Sequence, residues 1–485
     1  MINHKNFLIQ LVSISIIDFS IRLEEILFES ESYITNRGGG CILKKYDYVS
    51  IFLFTTLIGL SNYAGASGFA LIEQSGSGLG NAFAGSAASA EDASTIFYNP
   101  AGMAFLPDNQ VVLGMHVINP DINFSSTGSR SGLGFPESGD NGGNTGSLTF
   151  LPNFYFAKSI TDTIHLGIGV NTPFGLKTEY NDQWVGRYQT VKSEVNSINI
   201  NPSIAYKAND KLSLGFGVSA MRIDADLTSA VDFGTILGSL TSNPLLFQKL
   251  DGTTRTKGDD WGFGWNAGVI FQPTDDTRIG LSYRSQIHET LKGTTSFYNV
   301  PAPLAASFQN GPVTAKLVTP DSASISIFTK LDEKWDLLGD LSWTDWSKFQ
   351  NLTIIRTSGT IVSSNSENWH NTLRVSAGAN YHVDENLKLK VGVAYDESPV
   401  SDLYRTARIP DNDRIWLSFG GQYKLSETSK IDVGYTHIFV KDASLDKTNE
   451  IQTASPALTA ALQDKLIGNY SSSIDMMSVQ FSHSF

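Results

Sequence analysis

The sequence predicts an all-β fold: a 14-stranded antiparallel transmembrane β-barrel with an N-terminal plug (hatch) inside its lumen. Three observations lead to this prediction. Apolar residues recur at every second position in fourteen segments after residue 109. Short polar connections alternate with long ones between these segments. A segment of small residues, 67–108, precedes the first strand and cannot form a core of its own.

The composition restricts the class of protein. The chain has 485 residues, of which 41% are hydrophobic, 11% aromatic and 17% charged, with a net charge of -13. The length alone would suggest two or three soluble domains, but the low charged fraction and the 43 glycines fit that class less well. The acidic balance argues against nucleic acid as a partner. The single cysteine, Cys41, excludes an intramolecular disulfide framework.

The first 66 residues are predicted to be absent from the mature protein. Residues 1–42 form an extension, and a translation start near Leu43 would account for it. Residues 43–66 are predicted to be a secretory signal peptide, in which two lysines precede the apolar stretch Val49–Leu60. This stretch is too short to span a membrane, which takes about 20 residues. Cleavage after the small-x-small sequence Ala64–Ala66 would leave Ser67 as the mature N-terminus.

Residues 67–108 are predicted to be the plug. Gly76, Gly78, Gly80 and Gly85 interrupt any regular ladder, because glycine adds backbone freedom and has no side chain to pack. The stretch 82–90 could form a short helix, and Asn99-Pro100 would end it. Small side chains allow the backbone of such a segment to approach an enclosing wall closely.

Residues 109–485 are predicted to be the barrel. Each of fourteen segments places its apolar residues on one face of a strand. A sandwich also alternates in this way. Fourteen strands with no helical pattern between them favour a closed barrel, since an open sheet edge in lipid leaves backbone groups unsatisfied. The segments are Val111–Val117, Leu148–Phe156, Ile164–Val170, Ile198–Tyr206, Leu212–Val218, Phe263–Phe271, Ile279–Tyr283, Ile325–Ile327, Trp335–Trp343, Leu373–Tyr381, Leu387–Tyr395, Ile415–Phe419, Ile431–Phe439 and Met477–Phe485.

The connections predict which end of the barrel faces outward. Seven connections are long, for example Ser219–Gly262 and Arg284–Ser324, and six alternate with them as short polar turns. This asymmetry is typical of outer-membrane barrels. The even strand count returns the C-terminal Phe485 to the side of the N-terminus. The short turns are 157–163, 207–211, 272–278, 330–334, 382–386 and 420–430.

Eight aromatic residues near predicted strand ends are expected to form the interface girdles rather than a core. They are Tyr155, Trp184, Tyr188, Tyr283, Trp346, Tyr395, Trp416 and Tyr435. The long loops also carry apolar stretches, at 236–247, 300–308 and 456–466. These either form an interaction surface, with Leu246 and Phe247 as ligand-binding candidates, or pack on each other as short capping helices.

The sequence contains no enzyme signature. The plug glycines miss the G-x-G-x-x-G spacing, and there is no H-E-x-x-H or G-x-S-x-G motif. We therefore predict that the protein is not an enzyme and has no cofactor, metal ligands or catalytic residues.

Several motifs resemble those of the FadL-type long-chain fatty-acid transport family. The N-terminal sequences Ser67-Gly-Phe-Ala-Leu-Ile-Glu-Gln, Gly78-Leu-Gly-Asn-Ala-Phe-Ala-Gly85 and Asn99-Pro100-Ala101 look like its plug. In the barrel, Trp261-Gly-Phe-Gly-Trp-Asn-Ala-Gly268 and Ile409-Pro-Asp-Asn-Asp-Arg414 are similar to its strand motifs. The likeness runs from the signal peptide to Phe485.

The resemblance implies a path for a hydrophobic ligand. The ligand is caught in a groove between long loops and passes to a deeper pocket that the mature N-terminus enters. Movement of that N-terminus lets the ligand leave sideways, through a gap made by a kinked strand. Phe69 matches the pocket-filling aromatic, Asn99-Pro100-Ala101 the plug motif, and Asp396 an important acidic position at a strand end.

The chain departs from the family at the expected carboxylate site. Family members can hold a carboxylate with one Arg and one Lys in the lumen. The stretch 363–367 before Trp369 contains no cation, and the nearest Arg after Ala220 is Arg222, shifted in position. Arg222, Arg187 and Lys316 remain as substitutes.

The main hypothesis is passive uptake of long-chain fatty acids across a bacterial outer membrane by a monomer among outer-membrane lipids. One alternative is uptake of uncharged hydrophobics such as aromatic hydrocarbons, which the missing cation would suit. The other is a surface adhesin or structural barrel whose loops bind partners.

Overall fold

A computed structural model describes residues 67–107, 109–450 and 456–485. The expected N-terminal extension and signal peptide, residues 1–66, lie outside the described residues. Within the described ranges, no helix is both long and apolar enough to cross a membrane.

Twenty strands and a few short helices make up the described chain. The helices are Gly76–Leu79, Thr95–Tyr98, Phe233–Thr241 and Pro456–Leu462, with 3-10 turns at Pro100–Phe105, Pro244–Leu246, Ala302–Leu304 and Trp346–Lys348. The strands are β1 Gln110–Ser126, β2 Thr149–Ser159, β3 Ile164–Asn171, β4 Gly175–Glu179, β5 Lys192–Asn209, β6 Leu212–Asp232, β7 Asp251–Thr274, β8 Thr277–Arg284, β9 Ile287–Tyr298, β10 Gly311–Thr319, β11 Ser322–Lys330, β12 Trp335–Thr344, β13 Asn351–Arg356, β14 Ile361–Ser366, β15 Thr372–His382, β16 Leu387–Asp396, β17 Arg414–Lys424, β18 Ser429–Val440, β19 Ala443–Thr448 and β20 Lys465–Ser484.

Fourteen of these strands close into an antiparallel barrel. The ring runs β1-β2-β3-β5-β6-β7-β8-β11-β12-β15-β16-β17-β18-β20 and returns to β1. The closing pair is long, since β20 pairs with β1 from Gln110–Ser484 to Ser126–Gly468. Each of the fourteen predicted segments falls on one of these strands, so the predicted fold class is confirmed.

Short turns lie at one end of the barrel and long loops at the other, as predicted. The turn end carries both termini of the barrel, because Gln110 pairs with Ser484 there. The loop end extends further as sheet, through β4, β9, β10, β13, β14 and β19. The expected loop Ser219–Gly262 is therefore largely strand. Its outward positions carry ion-paired residues such as Arg222 and Asp224 instead of apolar ones, so the apolar alternation ended before the strand did.

The outward face of the barrel is apolar and the inward face is polar or small. Val375 on β15 is 50% exposed, whereas the next residue, Ser376, is 4% exposed. The same alternation places Val391 and Val393 outward and Lys390 inward. A water-soluble barrel would show the opposite arrangement, and an apolar outer band is what lipid requires.

The girdle prediction was wrong for five of its eight aromatic residues. Tyr395 and Tyr435 are exposed on the outer face, and Tyr283 is partly exposed there. Tyr155 and Trp416 point inward because they lie on the opposite parity from the apolar residues of their strands. Trp184, Tyr188 and Trp346 belong to loops that fold into the mouth of the barrel. These five are buried.

Residues 67–107 lie inside the barrel. The expected helix within 82–90 is replaced by turns, in which Ala82 and Phe83 adopt positive φ angles of 50° and 55°. Inward glycines let this segment touch the wall: a Cβ on Gly392 would lie 2.1 Å from the carbonyl carbon of Asn81. A Cβ on Gly280 would lie 1.9 Å from the Ala87 oxygen.

Candidate functional site

An aromatic pocket near the loop end of the lumen is filled by Phe69, the third described residue. Its ring centroid lies 4.8 Å from that of Trp346, 5.5 Å from Phe349, 5.6 Å from Trp369 and 5.8 Å from Phe174. Phe69 is 3% exposed. The pocket is completed by buried aliphatic residues, including Leu176, Met221, Ile223, Ile287, Leu291, Leu317, Val400 and Ile409. The family resemblance implies a pocket-filling aromatic at Phe69, and competition of a ligand for this pocket stays a prediction.

A few hydrogen bonds hold the segment around Phe69, residues 67–71, which we call the tip. The Gly68 N–H donates to Asp411 Oδ2 at 2.9 Å, and the Ser67 hydroxyl donates to the Glu397 carbonyl at 2.8 Å. Gly68 has a φ of +61°, and a Cβ there would lie 2.7 Å from the Trp369 ring, so the position requires glycine.

Asn99-Pro100-Ala101 lies against the inner wall, away from the Phe69 pocket. Asn99 is fully buried, and its amide donates to the carbonyls of Ala87 at 2.7 Å and Val269 at 3.1 Å. Its Oδ1 accepts from the Ala101 N–H, and the Ala101 carbonyl accepts from the Ser213 hydroxyl at 2.6 Å. The geometry makes this motif an anchor between residues 67–107 and strands β6 and β7.

Asp396 lies at the loop end of β16, buried and in register with two cations. It pairs across the sheet with Arg374 on β15 and Arg414 on β17. Asp396 and Arg374 both line an internal cavity of ≈ 170 Å³. Its other walls include the tip, Phe97 and Tyr98, and a row of small hydroxyl residues on β8, β11 and β12. Asp396 therefore lines the same cavity as the tip.

The three cations offered as substitutes for the carboxylate site do not suit that role. Arg222 does not face the lumen: it is on the outer face of β6, paired with Asp224 at 3.0 Å and Asp259 at 3.3 Å. Its neighbours Met221 and Ile223 are the inward residues. Arg187 is paired with Asp251 at 2.8 Å in the loops, and Lys316 is exposed on the outside of β10.

Arg284 and Arg408 are two of several arginines that have no carboxylate within 4 Å among the described residues. Arg284, at the end of β8, donates to the Phe97 carbonyl at 2.7 Å and lines the ≈ 170 Å³ cavity. Arg408 donates to Gln189 O, Thr190 Oγ1 and Ser193 Oγ, and burial lowers its pKa to about 10. The alternation of Ile279, Leu281 and Tyr283 on β8 could have marked Arg284 as inward; no sequence signal marked Arg408.

A carboxyl group lies in the stretch before Trp369, where the family resemblance implies a lysine. Glu367 is 2% exposed, its Oε2 has no hydrogen-bond partner, and burial raises its pKa to about 8. Glu367 is two residues from Trp369, and Arg408 is next to Ile409. Trp369 and Ile409 are walls of the Phe69 pocket, and Glu367 and Arg408, on two different loops, each influence the pKa of the other.

The apolar loop stretches pack on one another at the loop end. Phe233 and Ile236 form a buried cluster with Leu304, against which Phe308, Leu458 and Leu462 pack. Leu240 and Leu245 stay exposed, at 65% and 82%. Leu246 and Phe247 are partly buried beside this cluster, and the Phe247 ring is 6.4 Å from that of Phe135. The loops therefore form a cap that still exposes apolar surface.

The barrel wall is incomplete between β2 and β3. β2 pairs with β1 over Thr149–Ala157, but with β3 only over Phe154–Ser159. β3 ends at Asn171, and pairing on β5 resumes only with Gly175 of β4. Among the described residues, Thr149–Asn153 of β2 therefore has no strand partner on this side. We call this region the wall gap. Pro152 and Pro173, which suit strand edges, were the available sequence signal.

Comparison with known proteins identifies one family. Residues 57–485 match the family described as outer membrane protein transport protein (OMPP1/FadL/TodX). The long-chain fatty acid transport protein of Escherichia coli K12 is 31% identical over 414 residues, covering 80% of this chain and 91% of that protein. A FadL homologue of Pseudomonas aeruginosa has 25% identity and a TM-score of 0.78, covering 86% of this chain and 100% of its own. The Pseudomonas putida toluene transporter TodX shares the fold, with a TM-score of 0.59, 18% identity, and coverage of 81% and 94%.

Proposed function

The chain belongs to the outer membrane protein transport protein family (OMPP1/FadL/TodX), and we propose that it takes up long-chain fatty acids across the bacterial outer membrane. The single observation that carries this proposal is the Phe69 pocket. A closed lipid-facing barrel places a side chain of its own N-terminal segment in a buried apolar pocket. A pocket that the protein fills itself can be opened by a ligand that competes for it.

Uptake begins at the loops and continues past Arg408 and Arg284. The exposed apolar surface near Leu246 and Phe247 collects the ligand from water. The alkyl chain then displaces Phe69, and the carboxylate is held first beside Arg408 and then by Arg284 in the cavity below. Binding at each place is strong enough to admit the ligand and weak enough to release it. No energy source is needed for such a relay down a gradient.

The ligand leaves sideways rather than through the turn end. Residues 75–107 are anchored to the wall by many buried hydrogen bonds, of which those of Asn99 are typical. Within the described chain, the tip is joined to the wall by four hydrogen bonds and by the Phe69 ring. The wall gap adjoins the tip, since Leu71 N–H donates to the Pro173 carbonyl at 2.8 Å. Movement of the tip is therefore the step that opens a path to lipid.

A second candidate is uptake of uncharged hydrophobics such as monoaromatic hydrocarbons. The specific observation that favours it is Glu367, a buried carboxyl group two residues from Trp369, in the stretch where the family resemblance implies a lysine. The toluene transporter TodX has the same fold. An uncharged ligand would need neither Arg408 nor Arg284.

Uptake by cells separates the two candidates. Cells that lack this protein and are complemented with it should accumulate labelled oleate faster than cells with the empty vector. Accumulation of toluene but not oleate would favour the second candidate. Equal rates with and without the protein for both compounds would refute transport.

A binding measurement tests the pocket itself. Phe69→Ala removes the ring that the ligand has to displace, so purified protein should bind oleate at least about tenfold more tightly. The matched control is Phe83→Ala, which removes a ring buried against Trp416 away from the Phe69 pocket and should not raise the affinity. Unchanged affinity of Phe69→Ala would contradict the assignment of this pocket as the ligand site.

A further inference from the structure

We propose that the side-chain amides of Asn153 and Asn171 form a head-group site in the wall gap, which the ligand occupies as it leaves the barrel. The inference rests on the proposed function, and it adds a binding site and its ligand chemistry. The site fits a carboxylate, or another polar head rich in hydrogen-bond acceptors, that is attached to an apolar chain.

The two asparagines flank the end of the β2–β3 ladder. Phe154 and Val170 form the last paired row before the wall gap, and Asn153 and Asn171 are the next residues on each strand. Both side chains point inward and are buried, with exposures of 3% and 1%. They therefore stand on the two sides of the place where the wall opens.

Three polar atoms of these amides have no hydrogen-bond partner. They are Oδ1 and Nδ2 of Asn153 and Nδ2 of Asn171, whose Oδ1 accepts from Asn199 at 3.1 Å. A buried polar group without a partner costs about 1–3 kcal/mol, and such groups are rare in folded proteins. Two N–H donors without a partner flank one opening, and a carboxylate that arrives there can accept from both once the side chains turn away from Gly114 and Gly169, over which they lie.

Gln74, three residues beyond the tip, forms hydrogen bonds with residues close in the chain to both asparagines. The Gln74 side chain bonds to the backbone of Thr172 just after β3, accepting from its N–H at 3.2 Å and donating to its carbonyl at 2.7 Å. The Gln74 carbonyl accepts from the Tyr155 hydroxyl on β2 at 2.8 Å. One residue thus joins both edges of the wall gap. We call this set of bonds the Gln74 clasp.

The Gln74 clasp is coupled to the pocket through the tip. The Phe69 carbonyl accepts from Gly175 N–H at 2.9 Å, and Leu71 N–H donates to Pro173, so the tip pairs with the same stretch of wall that Gln74 holds. A ligand that displaces Phe69 breaks these bonds and pulls on Gln74, which lies five residues further along the chain. Opening of the pocket and release of the Gln74 clasp are therefore one movement.

At the wall gap, neutral amides are better suited than a cation to bind a carboxylate that has to be released. A hydrogen bond from a neutral amide to a carboxylate contributes about 1.5–3 kcal/mol, and it lacks the added Coulomb attraction of an ion pair with a guanidinium. A carboxylate handed from Arg284 to two amides is stabilised while its chain enters lipid, and it is not trapped there.

The first test replaces both amides. Asn153→Leu combined with Asn171→Leu should lower oleate uptake about tenfold and leave toluene uptake unchanged. Oleate affinity in detergent should stay within about twofold, because the Phe69 pocket is intact. The thermal unfolding midpoint should fall only slightly, because the one hydrogen bond lost is the bond that Asn171 Oδ1 accepts from Asn199. Unchanged oleate uptake overturns the site, and so does an equal loss of both uptakes with a much lower midpoint, which indicates a structural role.

The second test holds the Gln74 clasp shut. Gln74→Cys with Thr172→Cys, joined by a short reducible bis-methanethiosulfonate reagent, should abolish oleate uptake until the link is reduced. The only natural cysteine is Cys41. The control links Ala87→Cys to Ser326→Cys, a contact of 3.1 Å between the anchored segment and β11, and should leave uptake intact. Full uptake with the clasp linked overturns this inference alone, whereas failure of the unaltered protein to take up oleate overturns the proposed function as well.

Discussion

At the scale of single residues, the lumen differs from an ordinary protein core by its buried ionisable groups. Glu73 is fully buried in the N-terminal segment, and neither of its carboxylate oxygens has a hydrogen-bond partner. Burial raises the pKa of Glu73 to about 7, and Arg414 and Arg374 offset the effect only in part. Arginine placement was the least predictable feature at this scale. Arg222 follows the inward residue Met221 and faces outward, whereas Arg284 follows the outward residue Tyr283 and faces the lumen.

Replacing Glu73 should remove part of the pH dependence of stability. The pKa of Glu73 in the folded protein lies above the value of 4.5 for an exposed Glu, so its contribution is fully present below about pH 4.5. That contribution is lost as the pH rises through 7, because each pH unit between the unfolded and folded pKa values corresponds to about 1.4 kcal/mol. Glu73→Gln should therefore match the unaltered protein at pH 5 and exceed its thermal midpoint at pH 8. Glu385→Gln, in an exposed turn, is the control, and a lower midpoint for Glu73→Gln at both pH values would contradict the prediction.

At the scale of elements, the N-terminal segment divides into the tip, residues 67–71, and an anchored body that follows it. At the turn end, Glu91 pairs with Lys388 and, at 3.0 Å, with Lys390, while Lys430 donates to its carbonyl. Burial opposes ionisation, but the three ammonium groups hold the pKa of Glu91 well below its usual range. The group thus stabilises the fold above about pH 4.5, and the contribution is lost only as the pH falls through the lowered value.

Neutralising Glu91 should loosen the body of the segment. Glu91→Gln leaves buried Lys390 with one carboxylate, Asp432 at 2.9 Å, and breaking a buried pair costs about 3–5 kcal/mol. We expect a lower thermal midpoint and a higher ion conductance in planar bilayers, because the turn end is less well sealed. The matched control is Glu427→Gln, whose ion pair with Lys424 lies in an exposed turn. Equal conductance of both variants would show that the body is held by other contacts.

At the scale of the whole molecule, the apolar band on the outer face of the barrel requires a membrane around it. Period-two alternation was enough to predict all fourteen barrel strands, because every barrel strand has one face in lipid. The same alternation could not predict the strand extensions beyond the membrane, such as β9 and β10, since both faces of those are partly polar. Nor could it place Trp184 or Trp346, whose loops fold inward.

A charge in the apolar band should prevent correct assembly. Val375→Arg places a charge on the lipid face of β15, which costs about 2–4 kcal/mol near the middle of a bilayer. The folded yield in outer membranes, measured by heat-modifiable migration, should fall. Val383→Arg is the control, because Val383 is similarly exposed, at 42%, but lies in a turn outside the band. Equal yields of the two variants would be expected of a soluble barrel and would contradict the membrane assignment.

The sequence by itself determined the barrel, its strand number and its two unlike ends. These follow from local rules: side chains alternate along a strand, and lipid accepts only closed sheets. Only the tertiary structure decided which side chains meet inside. Gln74 lies nearly a hundred residues from Thr172, and Glu367 more than forty from Arg408, so no local pattern brings them together. The wall gap, the Gln74 clasp and the unpaired arginines all depend on register and on the segment within the lumen, because contacts between distant parts of a chain follow from the closed fold.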